Sequence, residues 1–122
     1  MRIGVLTSGG DAPGMNATIR AVVRAAVANK DQIFGIYDGY RGLVEGKIQE
    51  FDRKSVSEIL NYGGTILGTA RLPEFQYEAV RKLAIKQLQK NDIEALICIG
   101  GDGTYTGALR LHEMGIKTIA IP

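Results

Sequence analysis

The sequence predicts an α/β fold, a parallel sheet sandwiched by helices, on three observations. Short apolar runs of strand length alternate with segments of helical periodicity. Strands separated by helices pair in parallel through right-handed crossovers. Glycine is abundant, at 16 residues, and most of it falls in short clusters directly after strands, where phosphate-binding turns occur, rather than in linkers. Together these describe a Rossmann-like arrangement.

Taken in order, Ile3 to Thr7 is a strand and Ser8-Gly9-Gly10-Asp11-Ala12-Pro13-Gly14 is a loop. A helix follows from Met15 or Asn16 to Asn29, with Ile19, Val22, Val23, Ala26 and Val27 as its apolar stripe. Asn16 or Asp11 is placed to cap it. Gln32 to Tyr37 is a second strand, Asp38 to Gly46 a glycine-rich turn carrying Tyr40 and Arg41, and Lys47 to Phe51 a short edge strand. Ser55-Val56-Ser57-Glu58 fits a capping box that opens a short helix ending by Gly63-Gly64. Thr65 to Ala70 is extended and leads to Arg71. A longer helix runs from about Gln76 to Lys90, burying Val80, Leu83, Ala84 and Leu88. Its Glu78 and Lys82 form a supporting i,i+4 pair, and its basic residues read as a solvated face. Ala95 to Ile99 is apolar throughout, as a buried parallel strand is. Gly107 to Met114 is helical, Gly115 stops it, and Ile116 to Ile121 is the last strand.

The chain's 122 residues suffice for one domain, which should bury roughly two-thirds of its unfolded surface. Hydrophobic residues make up 45% and charged residues 23%, an ordinary balance for a globular protein. A net charge of +2 is too small to argue for nucleic acid or a membrane surface. No apolar run approaches the roughly 20 residues of a membrane span, and Met1-Arg2 leads straight into a strand without a signal peptide. The lone Cys98 sits in an apolar strand as a core residue; no disulfide can form within the chain, which allows a reducing compartment. The lone His112 reads as helix surface, and Met114 and the tyrosines other than Tyr40 as packing. Ile119-Ala120-Ile121-Pro122 resembles a strand end with nothing after it, so a front piece of a longer protein is expected.

Chemistry concentrates in Ile99-Gly100-Gly101-Asp102-Gly103-Thr104-Tyr105. This is a strand-to-helix turn, where open α/β sheets bind ligands. Three glycines allow positive φ and close approach of a ligand to the backbone. The helix behind aims free N–H groups and a positive dipole end at that ligand. Asp102 would repel bound phosphates unless a cation lay between, so loop plus carboxylate points to a nucleotide phosphate held with Mg²⁺. Gly9-Gly10-Asp11 repeats the pattern after the first strand. Parallel strands end on one edge, so both turns should meet at one crevice. Two tight turns chosen for geometry alone would not explain the repeated carboxylate. Neither loop is a Walker A or a G-x-G-x-x-G turn.

Ile3 through Ala17, Gly63-Gly64-Thr65 through Ala70-Arg71, Pro73-Glu74-Phe75 and Ile99 to Thr104 together resemble, in order, the N-terminal portion of bacterial ATP-dependent 6-phosphofructokinases. The resemblance implies the first part of a larger two-domain protein of phosphofructokinase type, in which residues 1–122 form an incomplete ATP-binding α/β domain. It implies phosphorylation of fructose 6-phosphate by ATP to fructose 1,6-bisphosphate and ADP, in a cytoplasmic, allosteric homotetramer of glycolysis. Gly10 resembles the glycine that lets ATP phosphates approach. Gly101, Asp102, Gly103 and Thr104 resemble the loop around those phosphates, with Asp102 holding Mg²⁺. Arg71 resembles the arginine that reaches the transferred phosphoryl group, a task that suits a planar guanidinium. Leu72 stands where the family contacts the nucleotide, often with an aromatic, and Tyr40 is a further candidate to pack on the nucleoside. Gly103 resembles the ATP-using enzymes; pyrophosphate-using relatives tend to carry Asp there.

Arg20 and Arg24 lie four apart on one helix face, which by itself costs about 0.2–0.5 kcal/mol. Two solvated surface arginines are one reading. The resemblance offers another, in which Arg20-Ala21-Val22-Val23-Arg24 binds the phosphates of an allosteric ADP or GDP. Arg53-Lys54-Ser55-Val56-Ser57-Glu58 resembles its partner segment from a neighbouring subunit. A ligand bridging two subunits biases their orientation. The family's general base, an aspartate in a Thr-Ile-Asp-Asn-Asp motif after Pro-Gly, would begin at Pro122. The arginines and histidine that bind fructose 6-phosphate would also lie beyond, so residues 1–122 alone are expected to be inactive. Two other readings use the same Gly-Gly-Asp-Gly-Thr loop: a kinase of NAD or a lipid, and a non-catalytic nucleotide-binding fragment.

Overall fold

The computed structural model describes residues 1–9, 14–61 and 63–122. Strands β1 (Arg2–Thr7), β2 (Gln32–Ile36), β3 (Ile48–Phe51), β4 (Ala95–Ile99) and β5 (Lys117–Ile121) form one sheet in the order β3-β2-β1-β4-β5. The helices are α1 (Met15–Ala28), α2 (Gly39–Glu45), α3 (Glu78–Lys90) and α4 (Asp102–Glu113), with 3-10 turns at Arg53–Val56, Ile59–Asn61 and Pro73–Gln76. From β1 the chain steps outward through β2 to β3, then returns to the other side of β1 for β4 and β5. The strand order therefore reverses between β1 and β4, the place where open α/β sheets take their ligands.

Alternation along the strands divides the core in two. Leu6, Phe34, Ile36, Leu96 and Cys98 share one cluster with Leu43 of α2, Ala84 and Leu88 of α3 and Leu111 of α4. Val5, Ile33 and Ile99 join Ile19 and Val23 of α1 and Val56 and Ile59 of the 3-10 turns in the other. Burial of each large aliphatic side chain contributes about 1.5–3 kcal/mol. No helix among the described residues is long and apolar enough to cross a membrane.

The structure corrects several sequence expectations. The sheet is not wholly parallel: β3 runs antiparallel to β2, with Ile36 opposite Ile48. Residues 38–46 are not a turn alone but contain the two-turn helix α2, and this short link returns the chain to the strand end it left, where Tyr37 N donates to the Lys47 carbonyl; a parallel crossover needs a dozen or more residues. The glycines of α2 mark where the helix begins, ends and touches its neighbours. Gly46 caps it at φ 79, and a Cβ at Gly42 would run into the Tyr37 carbonyl oxygen. The capping box is built on Asp52, not Ser55: Ser55 N donates to Asp52 Oδ1 (3.1 Å) and Asp52 N to Ser55 Oγ (2.9 Å). It opens only a 3-10 turn, and Glu58 lies outside it at φ 66. The Ser55 N–H and hydroxyl hold the Asp52 carboxyl below its usual range, so this cap is complete above that range and is lost as pH falls through the lowered value.

The long helix begins at Glu78, because Pro73 favours a separate 3-10 turn before it. Leu83 is exposed, at 49%, and Arg81 is buried, at 8%, the reverse of the expected faces. Arg81 is satisfied by the Phe75 and Gln76 carbonyls, at 2.9 and 2.7 Å, and by Met114 Sδ at 3.4 Å. Glu78 and Lys82 make no ion pair among the described residues. Tyr77 and Tyr105 are exposed rather than packed. Helix α1 has Gly14 as its N-cap, at φ 94. Asn16 is instead buried, and its Oδ1 accepts a hydrogen bond from Ile66 N at 2.7 Å; Asp11 lies outside the described residues.

Gly42→Ala is expected to destabilise the fold by about 3 kcal/mol or more, since the clash is with backbone. Gly63→Ala, with nothing within 4 Å of its would-be Cβ, should stay within about 0.5 kcal/mol of the parent. Urea unfolding midpoints of the two variants check the contrast.

Candidate functional site

Strands β1 and β4 are direct neighbours, with Leu6 opposite Cys98 and Thr7 opposite Ile99. Beyond them Ser8 N donates to the Ile99 carbonyl at 3.0 Å, so the two glycine turns leave the sheet side by side. The described part of the first turn and the whole of the second thus meet at one edge, as the repeated pattern requires. A side chain on Gly100 would run into the Ser8 carbonyl oxygen and Thr104 Oγ1. Of the turn's three glycines only Gly100 takes a positive φ, at 155°. Gly101 and Gly103 have nothing within 4 Å of a would-be Cβ, so they leave open room beside the backbone rather than relieve a clash.

Two helix N-termini face this edge. Helix α4 starts at Asp102 behind Gly101, α1 starts at Met15 behind Gly14, and neither has a side-chain cap among the described residues. Both border a cavity of about 640 Å³ lined by Gly9, Gly14, Thr18 and residues 99–104. The first N–H groups of a helix have no partner within it, and its dipole is positive there. Thr104 is 1% exposed, yet its Oγ1 has no hydrogen-bond partner among the described residues. Leaving a buried hydroxyl unpaired costs about 1–3 kcal/mol. Asp102 is exposed at the mouth of the cavity, with no ion pair among the described residues. The edge therefore offers N–H donors, a waiting hydroxyl and one unneutralised carboxylate. That set suits a phosphate chain with a hard cation. Among the described residues no group of three or more His, Cys, Asp or Glu forms a metal cluster, so a cation here would rely on Asp102 and the ligand's own oxygens.

A second cavity of about 520 Å³ adjoins the first at Gly9 and Gly103, and is walled by Tyr40, residues 69–73 and, along α4, Gly103, Thr106, Gly107 and Arg110. Its floor is a buried aromatic pair. Tyr40 stacks on Phe75 with centroids 4.3 Å apart and planes 14° apart. Tyr40 OH donates to the Thr104 carbonyl at 2.6 Å. Gly107 lies so close that a Cβ would come within 2.6 Å of the Tyr40 ring. Burial pushes the Tyr40 phenol well above its ordinary pKa, so it remains a neutral donor. Tyr40 thus acts as a pillar between α2 and α4, with one ring face already taken by Phe75. Desolvation likewise pushes the neighbouring Cys98 thiol up to about 12.

Arg71 is exposed and lines this second cavity with Leu72. Its side chain makes no hydrogen bond or ion pair among the described residues, while its carbonyl accepts two bonds from Arg41. Arg71 closes an irregular stretch, residues 63–72, that belongs to neither helix nor strand. Side chains and backbone from the sheet side tie this stretch down. Thr7 Oγ1 donates to Gly68 O at 2.9 Å, Asp38 N to Leu67 O at 2.9 Å, and Asn16 holds Ile66 as described. Sequence reading missed Thr7, Asn16 and Arg41 as supports. Thr7 alone carried a signal, a hydroxyl ending an otherwise apolar strand.

Of the anticipated phosphate-loop residues, Gly101, Asp102, Gly103 and Thr104 come together at the edge with Arg71 and Leu72 beside them; Gly10 lies outside the described residues. The anticipated effector segments lie along α1 and on the turn that packs against it. Arg20 and Arg24 project from α1 away from its buried stripe, with Ala21 exposed and Val22 half-buried, while Val23 is in the core. Arg53, Lys54, Ser57 and Glu58 are exposed, Ser55 is held by Asp52, and Val56 is in the same core cluster as Val23.

Sheet order and the switch point between β1 and β4 define an open α/β domain whose cleft lies at the sheet's C-terminal edge. The family model described as Phosphofructokinase matches residues 2–122, and the chain belongs to the phosphofructokinase family. It is 59% identical over 121 residues to an ATP-dependent 6-phosphofructokinase of Vibrio parahaemolyticus, covering 99% of this chain and 38% of that protein. It is 60% identical over 121 residues to an ATP-dependent 6-phosphofructokinase of Aliivibrio fischeri, with the same coverage of 99% and 38%. The chain thus spans 38% of the length of these curated relatives. Among solved structures it is similar to Pichia pastoris phosphofructokinase in the T-state. The TM-score there is 0.89 and the identity 47%, over 92% of this chain and 13% of that one.

With its pKa near 12 and no exposure, the Cys98 thiol should resist alkylation by iodoacetamide at pH 8 in the folded protein and react only after unfolding. Mass spectrometry of labelled native and denatured samples reads the difference.

Proposed function

We propose that the full-length protein transfers the γ-phosphoryl group of ATP to fructose 6-phosphate, and that residues 1–122 supply the nucleotide side of that reaction. The observation that carries the reading is the buried hydroxyl of Thr104 in the first turn of α4, unpaired among the described residues and close to the N-terminus of α1, a cradle that phosphate oxygens would complete. The relatives named ATP-dependent 6-phosphofructokinase support ATP as donor, as does Gly103, which leaves room where a carboxylate would crowd the phosphates. Leu72 and the wall around Gly107 would hold the nucleoside, and Gly10 would lie against the phosphates. Asp102 with the nucleotide's own oxygens would hold Mg²⁺, which when bound neutralises the charge of the β- and γ-phosphates. Arg71 donates to the oxygens of the group in transit, where its charge matters most.

The acceptor hydroxyl oxygen forms the new bond to phosphorus, the bond from phosphorus to the β-bridging oxygen breaks, and ADP leaves with that electron pair. The hydroxyl proton passes to an aspartate outside these residues, in the Thr-Ile-Asp-Asn-Asp motif that the resemblance assigns. Regulation is read in the same way. Arg20 to Arg24 with Arg53 to Glu58 form an effector site for ADP or GDP in a cytoplasmic homotetramer, and the relative solved in its T-state supports a conformationally regulated family. Within one chain, α1 already packs on the Arg53–Val56 turn, so the two segments share a surface that a subunit neighbour would extend.

In a coupled assay of the full-length protein, fructose 6-phosphate should support ATP turnover and NAD should not; turnover with NAD alone would overturn the reading. Asp102→Ala is expected to remove Mg²⁺-dependent turnover. Arg20→Ala should raise the ADP concentration needed for half-activation about tenfold, the loss of one charge-assisted bond; an unchanged activation curve removes the effector assignment.

A further inference from the structure

Helix α2 carries two adjacent side chains that reach opposite walls of the cleft. Tyr40 points inward and its hydroxyl holds the Thr104 carbonyl, in the first turn of α4, at 2.6 Å. Arg41 points outward, and its Nε and Nη2 both donate to the Arg71 carbonyl, at 3.1 and 2.7 Å. A guanidinium that grips one oxygen through two N–H groups fixes direction as well as distance. Arg41 pairs with no acid among the described residues. Among the described residues the other supports of the irregular stretch grip residues 65–68, and the main chain at Arg71 is held by this contact from α2. Helix α2 is itself seated tightly. Gly39 would bring a Cβ within 2.9 Å of the Thr7 carbonyl, and Gly42 leaves no space beside Tyr37.

We infer that Arg41 is a positioning residue for Arg71: it pins the main chain at Arg71 so that the unpaired Arg71 guanidinium is presented to the cleft at a spacing from the phosphate loop set by α2. The inference rests on the proposed role of Arg71 in phosphoryl transfer. An arginine on an irregular segment samples many placements, and each loses time in the productive one. A clamp on its main chain shortens that search without touching the ligand. Because it acts on Arg71 and not on the bound nucleotide, its effect falls on kcat rather than on the KM for ATP.

The test is a double-mutant cycle in the full-length protein, with kcat and both KM values measured for Arg41→Ala, Arg71→Ala and the double variant. Arg41→Ala is expected to lower kcat about three- to tenfold, the span of one or two ordinary hydrogen bonds, with KM for ATP and for fructose 6-phosphate unchanged. In the Arg71→Ala background, Arg41→Ala should cause no further loss, since the group it positions is gone. Full additivity of the two losses, or a wild-type kcat for Arg41→Ala, would overturn the positioning role while Arg71 keeps its own. If Arg71→Ala itself leaves kcat unchanged, the reading on which the inference stands fails instead.

Discussion

The parallel pairing of β1 with β4 is the constraint on which the rest of the molecule depends. In sequence the two strands are separated by α1, β2, α2, β3, three 3-10 turns and α3, yet Thr7 and Ile99 end opposite one another. Their side chains alternate between two faces, so each strand anchors both cores at once: Leu6 with Cys98 on one side, Val5 with Ile99 on the other. A slip of one residue would exchange these faces. It would also separate Ser8 from the Ile99 carbonyl and dissolve the crowded junction at Gly100. Hydrophobic register and cleft geometry are thus one requirement met twice.

Around that junction the chain uses helices in two different ways. Among the described residues, helices α1 and α4 present their N-termini without side-chain caps and so keep their polarity directed at the cleft. Helix α2 offers no such end to the cavity; it works through side chains, as a spacer between the glycine turn and the arginine-bearing segment. Buried Arg81 serves the same wall from behind, holding the Phe75 and Gln76 carbonyls and so the platform under Tyr40. The cleft has a fixed edge, made by the sheet, and a tied-on flank, made by residues 63–75.

This division explains what the sequence disclosed and what it hid. The fixed edge was legible because its determinants are local. Apolar runs, glycines and a repeated carboxylate stand next to one another in the chain, and α1 and α4 show their period plainly. The tied-on flank was not, because its determinants are partners distant in sequence. Gly39, Gly42 and Gly46 read as a turn, although Gly42 is there to admit the Tyr37 carbonyl into a helix. Arg81 looked solvated because carbonyls, not acids, satisfy it, and carbonyls have no letter in a sequence. The antiparallel hand of β3 follows from the shortness of the link that holds α2. The roles of Arg20, Arg24 and the residues around Ser55 rest on resemblance to the family, since α1 and the 53–56 turn display nothing locally that separates an effector site from a solvated face.

The unpaired hydroxyl of Thr104 has one further meaning. A fold that keeps donors unsatisfied in its interior carries them as a cost in every folded, ligand-free molecule. A ligand that satisfies them binds the folded state and not the unfolded one, so its binding free energy adds to stability, by about 2.7 kcal/mol at one hundred times its dissociation constant. A ligand that completes the Thr104 hydroxyl should therefore raise the temperature at which this chain unfolds.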